Sequence, residues 1–402
     1  MALIVQKFGG SSVANAERVF NVAEIITNTF KQGNDVVVVL SAQGDTTDDL
    51  IEKANEINPK PSKREMDMLL STGEQISIAL MAMAIEKLGF PVVSLTGWQV
   101  GMKTDSTYGN ARIKKVEPER IQSELGTGKI VLVAGFQGIN KYDDITTLGR
   151  GGSDTSAVAL AVALKADLCQ IYTDVDGIYT ADPRVVKDAK KLEEITYDEM
   201  LELASLGAQV MHNRSVEMAK RYSVHLEVLS SFTRNPGTKI KEVPQMEKMH
   251  VSGVASDKRT ARISLIGLED VPGIAFKIFS VLAQKKINVD IILQSIGRGN
   301  TKDISFTVAD NSLNAAVEML NANRDIIGFK DITVNDRICK LSIVGAGMVN
   351  NAGVAAKMFE ALSNASVNIQ MISTSEIKIS VLIDRDDEER ALKAVHAMFF
   401  NN

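Results

Sequence analysis

The sequence has little of what builds disulfide scaffolds or metal clusters: its 402 residues include two cysteines, four histidines and one tryptophan. Cys169 and Cys339 are far apart in apolar runs, a pattern that indicates buried free thiols in a reducing compartment rather than a disulfide. Neither a Cys/His metal site nor a Ser/His/Asp hydrolase is indicated, because the histidines are isolated from one another. We interpret all four as structural: His212, His225, His250 and His396.

Excess charge of one sign is also absent. The 45 basic residues are set against 50 acidic ones, which gives a formal net charge of −5 and no attraction to nucleic acid or an anionic membrane. We expect no membrane span, because no apolar run approaches the required length, and no targeting segment precedes the first strand. The expected partners are therefore small molecules or protein, and the expected location is the cytoplasm.

What the chain does have is length and an alternation of apolar strands with helices. It is longer than one hydrophobic core usually supports, so two or three domains are expected. From Leu3 to about Val243, apolar strands alternate with helices, which predicts an open, mostly parallel, doubly wound α/β sheet. The predicted strands are residues 36–40, 92–95, 130–134, 168–172 and 226–229. The predicted helices are residues 12–20, 67–88, 155–165 and 197–204, the last with Thr196 as its N-cap.

The first strand closes on Lys7-Phe8-Gly9-Gly10-Ser11-Ser12, which combines a cation, a glycine pair and two hydroxyls ahead of a helix. Adjacent glycines let backbone N–H groups approach an anion, and the positive end of the helix would point to the same place. The motif therefore indicates a phosphate-binding turn. A tight turn with a surface lysine has the same local pattern, so other phosphate-binding features have to decide between them.

Four further polar segments accompany buried elements, and ligands of open α/β sheets bind at the carboxyl ends of strands. Residues 41–49 offer hydroxyls and carboxylates, and residues 71–75 offer a glycine and a glutamate. Residues 148–156 hold a second glycine pair, an arginine and a helix N-terminus, which together indicate a second anion site. Residues 172–184 carry aspartates, a tyrosine and an arginine, as a nucleotide would need. Taken singly, residues 41–49 could instead be a helix cap, residues 71–75 could carry a solvated glutamate, and residues 172–184 could be a plain turn.

Together these segments predict a site for two anionic ligands, one a polyphosphate and the other a carboxylate. Phosphoryl transfer to a carboxylate needs no general base, because the acceptor oxygen is already ionised near neutral pH. Catalysis then depends on charge screening and alignment.

Five motifs, in their order along the chain, resemble the motif set of bacterial monofunctional aspartokinases, and the resemblance covers essentially the whole chain. The motifs are residues 7–12, 39–47, 73–75, 149–154 and 172–177. Amino-acid kinases that act on glutamate, acetylglutamate or UMP share the fold and the glycine loops but not this series. The resemblance implies ATP-dependent phosphorylation of the β-carboxylate of L-aspartate to 4-phospho-L-aspartate, for lysine, threonine and methionine synthesis. Gln43 stands where many relatives have methionine, which puts no role in doubt.

The resemblance also implies the residues that hold ATP. Lys7 would bridge the transferring phosphoryl group, and the backbone N–H groups of Gly9 and Gly10 would donate hydrogen bonds to it. Mg²⁺ would be held mainly by the phosphates rather than by a metal site of the protein. The remaining cofactor-binding residues would be Ser11, Thr173, Asp174, Tyr179, Asp182 and Arg184.

For the acceptor, the resemblance implies that Glu74 binds the amino group of aspartate and that Arg150 clamps its α-carboxylate. Asp154 would fix the loop between substrate and phosphate, and it joins Lys7 and Arg150 as the catalytic set. The other substrate-binding residues would be Ser41, Thr47, Gly151, Gly152 and Ser153.

Two alternatives stay open at this point. The first domain could be a sensor that binds nucleotide and amino acid without turnover, although the presence of Lys7, Glu74 and Arg150 argues against that. A kinase acting on glutamate is the nearer alternative, and loop 41–47 together with Glu74 favours aspartate.

The last part of the chain is a repeat. Beyond a charged stretch at residues 244–249, which we interpret as a linker, residues 262–267 correspond to 340–345 and residues 273–279 correspond to 353–359. Each copy is predicted as strand, helix, strand, strand, helix, a split βαβ layout. The second copy lacks its final strand, so we expect residues 250–256 to cross over and complete it. The predicted domains are residues 1–243 for the kinase, 262–335 for the first copy, and 250–257 with 338–402 for the second.

The two copies resemble ACT domains, the paired amino-acid-binding modules of feedback-controlled aspartokinases. The resemblance implies lysine, threonine or both as effector and a homo-oligomer formed through ACT pairing. An internal start at Met246 or Met249 would add a separate short regulatory chain. Asp290 could meet the amine of the effector, while Asp270 could instead only cap a helix. The implied effector-binding residues are Asp270, Pro272, Gly273, Ile274, Ala275, Asn288, Asp290, Gln294, Asn351, Asn368 and Ile369.

Overall fold

The computed structural model describes residues 2–206, 211–242, 251–295, 299–346, 348, 351 and 353–401. The chain forms two compact units, the first from residues 1–179 and 190–248 and the second from residues 180–189 and 249–402. Residues 180–189, which lie inside the first predicted domain, thus group with the second unit. The predicted linker 244–249, with Met246 and Met249, lies outside the described residues, as does His250.

The described strands of the first unit are β1 Leu3–Phe8, β2 Asp35–Leu40, β3 Val92–Leu95, β4 Lys103–Thr104, β5 Ile113–Lys115, β6 Ile130–Ala134, β7 Gln137–Ile139, β8 Ile145–Thr147, β9 Leu168–Thr173, β10 Glu194–Thr196, β11 Leu226–Ser230 and β12 Thr238–Lys241. Its α-helices are α1 Ala16–Lys31, α2 Thr46–Ile57, α3 Lys63–Lys87, α4 Glu119–Gly126, α5 Gly152–Leu164, α6 Tyr197–Ser205 and α7 Asn213–Arg221. Eight strands form one sheet in the order β10-β12-β11-β9-β1-β2-β6-β3. Every neighbouring pair is parallel except β11 with β12, which confirms the mostly parallel sheet.

Burial on both faces explains why the central strands are apolar without interruption. All of residues 36–40 in β2 and 130–134 in β6 are inaccessible to solvent. Val36, Val38 and Leu40 pack with side chains of α1 and α3 on one face. The alternate residues of β2 point to the opposite face, where α5 packs against β1, β2 and β9. This is the layering that a doubly wound sheet requires.

The helix α3 is long and apolar enough to cross a membrane by length and composition, which corrects the expectation that no segment reaches that length. Ile78, Met81 and Ile85 of α3 are instead buried in the core beside the sheet. The apolar composition of α3 is therefore that of a core helix packed against other elements of the same unit.

The helix predicted over residues 12–20 is two helices in the structure. A short 3₁₀ helix spans Gly10–Val13, and α1 starts afresh at Ala16, where the Asn15 side chain accepts a hydrogen bond from the Arg18 N–H at 3.0 Å. Asn15 is therefore an N-cap inside the predicted helix. The N-cap predicted at Thr196 is confirmed, and it forms a reciprocal capping box with Glu199.

A small second sheet of the first unit, in the order β5-β4-β7-β8, was not predicted. Its strands have two or three residues each, too few to show a period. A hydrogen bond of 2.6 Å between the hydroxyls of Thr104 and Thr146 ties two of its strands together. The last strand, β8, leads directly into the turn that carries Arg150.

The second unit contains the described strands β13 Gly253–Asp257, β14 Thr260–Glu269, β15 Val289–Gln294, β16 Thr301–Ala309, β17 Asp331–Asn335, β18 Ile338–Val344, β19 Met371–Thr374 and β20 Lys378–Asp384. Its helices are α8 Ile274–Gln284, α9 Leu313–Ala322, α10 Arg324–Ile327, α11 Val354–Asn364 and α12 Glu388–Phe400. The strands form two four-stranded sheets, in the orders β15-β16-β14-β17 and β13-β18-β20-β19. β13 pairs antiparallel with β18, Ala255 opposite Ser342, so the strand ahead of the first copy completes the second and the interleaving is confirmed.

Residues 180–189 belong to the core of the second copy. The carbonyl of Thr180 accepts a hydrogen bond from the Val254 N–H at 2.7 Å, and its hydroxyl lies 2.9 Å from Nε2 of His396. Ala181 and Val186 are buried in the same core. His396 therefore has the structural role expected of it. Both cysteines are free and buried, as predicted.

Candidate active site

The phosphate turn and the arginine turn meet through an ion pair. Lys7 lies near the carboxyl end of β1, and Asp154 lies in the first turn of α5. The Lys7 ammonium is 2.7 Å from Oδ1 of Asp154, and both side chains are about nine-tenths buried, at 12% and 10% exposure. The two glycine-pair turns therefore lie at the same edge of the sheet, as a site with two anionic ligands requires.

In the first turn, Gly10 allows the backbone of the loop after β2 to approach closely. A Cβ built on Gly10 would lie 2.6 Å from the carbonyl oxygen of Ala42, and the Gly44 N–H donates to the carbonyl of Gly10 at 3.0 Å. The loop after β2 is thus docked onto the phosphate turn. Gly9 lies beside the cation but is less tightly packed, since a Cβ there would be 3.5 Å from the Lys7 ammonium, an ordinary van der Waals distance. The side chain of Ser11 is exposed beside them.

Glu74 sits within α3, under the loop after β2. A Cβ on its neighbour Gly73 would lie 2.8 Å from the Cβ of Ala42, so glycine lets the helix approach that loop. The Ala42 N–H donates to Oε1 of Glu74 at 3.2 Å, while Oε2 has no hydrogen-bond partner among the described residues. Glu74 is 3% exposed, and burial raises the pKa of its carboxyl group to about 8. Ser41 and Thr47 lie half-buried in the adjoining loop and the start of α2.

The turn that carries Arg150 needs two left-handed glycines. Gly149 and Gly151 have φ angles of 77° and 67°, and a Cβ on Gly151 would lie 2.2 Å from the Cβ of His212. Arg150 itself is exposed between them. Gly152 and Ser153 follow in the buried first turn of α5. The free N–H groups and the dipole of this helix end favour an anion there.

Two residues that support this turn were not found from the sequence. The guanidinium of Arg214 donates to the carbonyls of Leu148, at 2.8 Å, and Ala111, at 2.9 Å. His212 packs on Gly151 and caps α7 by accepting from the Arg214 N–H at 3.3 Å. Desolvation lowers the pKa of His212, which favours the neutral imidazole needed for that acceptor role. No local pattern links residues so far apart in the chain.

The residues predicted to bind nucleotide divide between the units. Thr173 ends β9, and its hydroxyl donates to Asp174 at 3.0 Å. Tyr179 donates its hydroxyl to Asp176 at 2.6 Å, a bond that raises the pKa of Tyr179 to about 12. These three predicted residues lie in the first unit. Asp182 and Arg184 belong to the second unit, where they form an ion pair of 2.7 Å with each other.

The residues predicted to bind an effector lie in the second unit, and two of them have partners there. Asp270 is 3.0 Å from the ammonium of Lys302, and Asp290 forms an ion pair with the nearly buried Lys340. The alternative that Asp270 only caps the helix is wrong, because α8 begins behind Gly273 without a side-chain cap. Ile274 is buried; exposed are Pro272, Gly273, Ala275, Asn288, Gln294 and Asn368; half-buried are Asn351 and Ile369.

Comparison with known proteins agrees with this arrangement. Residues 2–230 match the amino acid kinase family, and residues 263–323 and 341–399 match the ACT domain. Fold and site thus define an amino-acid kinase joined to a pair of ACT domains. The aspartokinase of Bacillus sp. strain MGA3 is 51% identical over 400 residues, 99% of this chain and 97% of that protein.

Solved structures give the same result. The structure of E. coli aspartokinase III in complex with aspartate and ADP, in the R-state, has a TM-score of 0.84 at 25% identity and covers 99% of this chain and 100% of its own. The same enzyme in complex with lysine and aspartate, in the T-state, has a TM-score of 0.75 at 25% identity, with 99% of both chains covered. The chain belongs to the aspartokinases, ATP-dependent kinases of the amino acid kinase family.

Proposed function

We propose that this enzyme transfers the terminal phosphoryl group of ATP to the β-carboxylate of L-aspartate, giving ADP and 4-phospho-L-aspartate. The reaction would begin lysine, threonine and methionine biosynthesis in the cytoplasm. The observation that carries the choice of an amino-acid acceptor is Glu74, a buried carboxyl group with an unpartnered oxygen. An α-ammonium group is the ligand that would satisfy it, because a buried carboxylate needs a cation or a hydrogen-bond donor.

The acceptor would be held at its α-carbon, away from the reacting oxygen. Glu74 binds the α-ammonium, and the guanidinium of Arg150 offers two parallel N–H donors to the α-carboxylate. The start of α5, with its N-cap Gly151 and with Gly152 and Ser153, connects this anchor in sequence with Asp154, the partner of Lys7. The β-carboxylate needs no base, since it is ionised near neutral pH.

Lys7 would supply the positive charge at the transferring phosphoryl group. Asp154 holds the ammonium at the junction of the two turns, so its position is set before the substrates arrive. Fixed charges that are already oriented cost no reorganisation when negative charge is redistributed in the transition state. The N–H groups at Gly9 and Gly10 add donors that no side chain obstructs.

The nucleotide would lie along the loop after β9, with Thr173, Asp174 and Tyr179. Mg²⁺ would be held by the phosphates and would neutralise their charge. The relative whose structure contains aspartate and ADP supports a site for both ligands in this fold.

Regulation is proposed at the ACT domains, with lysine, threonine or both as effector and a homo-oligomer formed by ACT pairing. The E. coli relative with lysine and aspartate in its T-state supports an amino-acid effector. At Asp290 an effector ammonium would meet a carboxylate that already pairs with Lys340. Effector binding there would therefore be an exchange of one ammonium for another.

The decisive experiment is release of ADP from ATP by the purified full chain with aspartate, glutamate or UMP, each repeated with added lysine and threonine. We expect turnover with aspartate and inhibition by at least one of the two amino acids. Binding of aspartate without turnover would instead identify a sensor, and faster turnover with glutamate would identify a glutamate kinase. Turnover that neither amino acid affects would refute the regulatory part alone.

A further inference from the structure

Asp67 is a buried carboxyl group that none of the assignments above uses. It lies in the second turn of α3 and is 1% exposed. Its Oδ2 accepts hydrogen bonds from the Gly109 N–H at 2.9 Å and the Thr147 N–H at 3.0 Å, and its Oδ1 accepts from the Thr147 hydroxyl at 2.7 Å. Both oxygens thus accept hydrogen bonds from two segments, the loop at Gly109 and the end of β8, which are distant from α3 in sequence.

Both of those segments border the turn that carries Arg150. Thr147 ends β8, three residues ahead of Arg150. The carbonyl of Gly109 and the side chain of Asn110 each lie 3.2 Å from the position of a Cβ on Gly149. Asp67 therefore fixes the strand that enters the turn and the loop that packs against it.

The helix that carries Asp67 also carries Glu74, seven residues or about two helical turns further on, which is roughly 10 Å along the axis. One rigid helix thus connects the proposed ligand of the α-ammonium group with the support of the proposed ligand of the α-carboxylate. Since Arg150 is exposed, its position depends on the backbone of its turn.

We propose that Asp67 is a positioning residue, which sets the spacing between Glu74 and Arg150 and thereby the affinity for the amino-acid acceptor without touching it. This inference rests on the proposed function, because it needs Glu74 and Arg150 to bind the same α-carbon. Its specific consequence is a selective effect on aspartate, since the ATP-binding turn at Lys7 is attached to a different element, β1.

The test is Asp67→Ala, which removes both acceptor oxygens, whereas an asparagine could still accept from the two N–H groups with its amide oxygen and donate to the Thr147 hydroxyl. Misplacing a binding group by about 1 Å costs roughly 100-fold, so we expect KM for aspartate to rise about 10- to 100-fold. KM for ATP should stay the same. Thr147→Val removes one of the three hydrogen bonds and should raise KM for aspartate less. Combined with Asp67→Ala it should add little, because the two changes remove the same contact.

Ser77→Ala is the matched control, since Ser77 is buried in the same helix but donates only to the Gly73 carbonyl of that helix. It should leave both KM values unchanged. Equal rises in KM for aspartate and ATP, or an unchanged KM for aspartate in Asp67→Ala, would overturn the positioning role. If Asp67→Ala does not fold, Thr147→Val decides by the same two KM values. Absence of turnover in the unaltered enzyme would refute the proposed function as well, whereas normal turnover with unchanged KM refutes only the role of Asp67.

Discussion

Two buried carboxyl groups at the same edge of the sheet differ in their surroundings. Asp154 has the ammonium of Lys7 2.7 Å away, so the two charges compensate each other within the protein. Glu74 has a backbone N–H on one oxygen and no partner among the described residues on the other. Asp154 therefore has its counter-ion before substrate binds, while Glu74 would gain one through the proposed cationic ligand.

Replacing Lys7 by alanine should separate catalysis from folding. Loss of one preoriented charge at the transferring group should lower kcat about 10²- to 10³-fold. The change also leaves the Asp154 carboxylate buried without its cation, which costs on the order of 3 kcal/mol of unfolding free energy. The double variant Lys7→Ala/Asp154→Asn should regain the stability but not the activity, as measured by urea unfolding and by ADP release.

Lys129→Ala is the control for Lys7→Ala, because its ion pair with Glu124 lies at the surface of the same unit, remote from the proposed site. A wild-type kcat in Lys7→Ala would contradict the assignment of the phosphate turn. An equally unstable double variant would contradict the compensation by Asp154.

Glu74 should make stability depend on pH. Its pKa is raised from 4.5 to about 8, so the native protein without ligand keeps a proton that the unfolded chain has lost. The resulting stabilisation is fully present below about pH 4.5 and is lost as the pH rises towards 8. Glu74→Gln has no such proton, so wild type should lose stability relative to this variant by up to about 1.4 kcal/mol per pH unit in that window. Urea unfolding at several pH values measures the difference.

The control for Glu74→Gln is Glu86→Gln, which changes an exposed carboxylate of the same helix. Its unfolding free energy should run parallel to wild type over the whole pH range. If the curve for Glu74→Gln also ran parallel to wild type, Glu74 would not keep its proton in the free protein, and the raised pKa would be refuted.

At the scale of elements, the position of the Arg150 turn is constrained by its contact with the start of α7. A side chain introduced at Gly151 would require a left-handed backbone conformation and would clash with the Cβ of His212. Gly151→Ala should therefore destabilise the protein by about 2–4 kcal/mol, from backbone strain and overpacking together. It should also raise KM for aspartate, because the turn has to move.

A matched pair of variants isolates the contact. Gly128 has a similar φ of 72° but no atom within 4 Å of its Cβ position, so Gly128→Ala should show the backbone strain alone. His212→Gly removes the side chain that would clash with the alanine of Gly151→Ala in the double variant, and glycine is tolerated at the N-cap of α7. In urea unfolding, Gly151→Ala should cost less in the His212→Gly background than alone. Additive costs would show that the contact is unimportant.

The same elements show what the sequence could and could not predict. The Lys7 and Arg150 turns were predicted because their chemistry is local: glycine pairs, a cation and a helix start within a few residues. The central strands were predicted because both faces of the sheet are covered, which makes them uniformly apolar. Strands β4, β5, β7 and β8 are too short to show a period. Asp67 and Arg214 were missed because their partners lie 42 to 103 residues away.

At the scale of the whole chain, counting elements predicted the interleaved ACT strand, since one copy had a strand too few. No pattern in the sequence indicates that residues 180–189 group with the second unit. Its buried residues Ala181 and Val186 are two ordinary apolar side chains in a loop. That segment joins the chain between Tyr179 and Lys190, so the loop proposed to hold nucleotide continues directly into the second unit, for which we propose regulation.

The repeat also places two pseudo-equivalent contacts between the ACT copies, and these differ in charge. Lys340 of the second copy pairs with Asp290 of the first, while the corresponding Arg262 of the first donates to Gln370 of the second at 3.2 Å. A carboxylate is present at one of these two contacts, so an effector ammonium bound as proposed would have a counter-ion at Asp290 and none at Gln370. The ammonium of Lys340 would then compete with the effector for Asp290.

Lys340→Met should therefore sharpen feedback inhibition. A partly exposed ion pair contributes at most about 1 kcal/mol, so its removal should lower the inhibitor concentration for half-maximal effect about fivefold. Arg262→Met, the matched change at the other contact, should leave that concentration unchanged. The measurement is ADP release against increasing lysine and threonine at fixed aspartate. Weaker inhibition in Lys340→Met would mean that the Lys340 side chain supports the effector pocket. Asp290 would then not exchange the Lys340 ammonium for that of the effector.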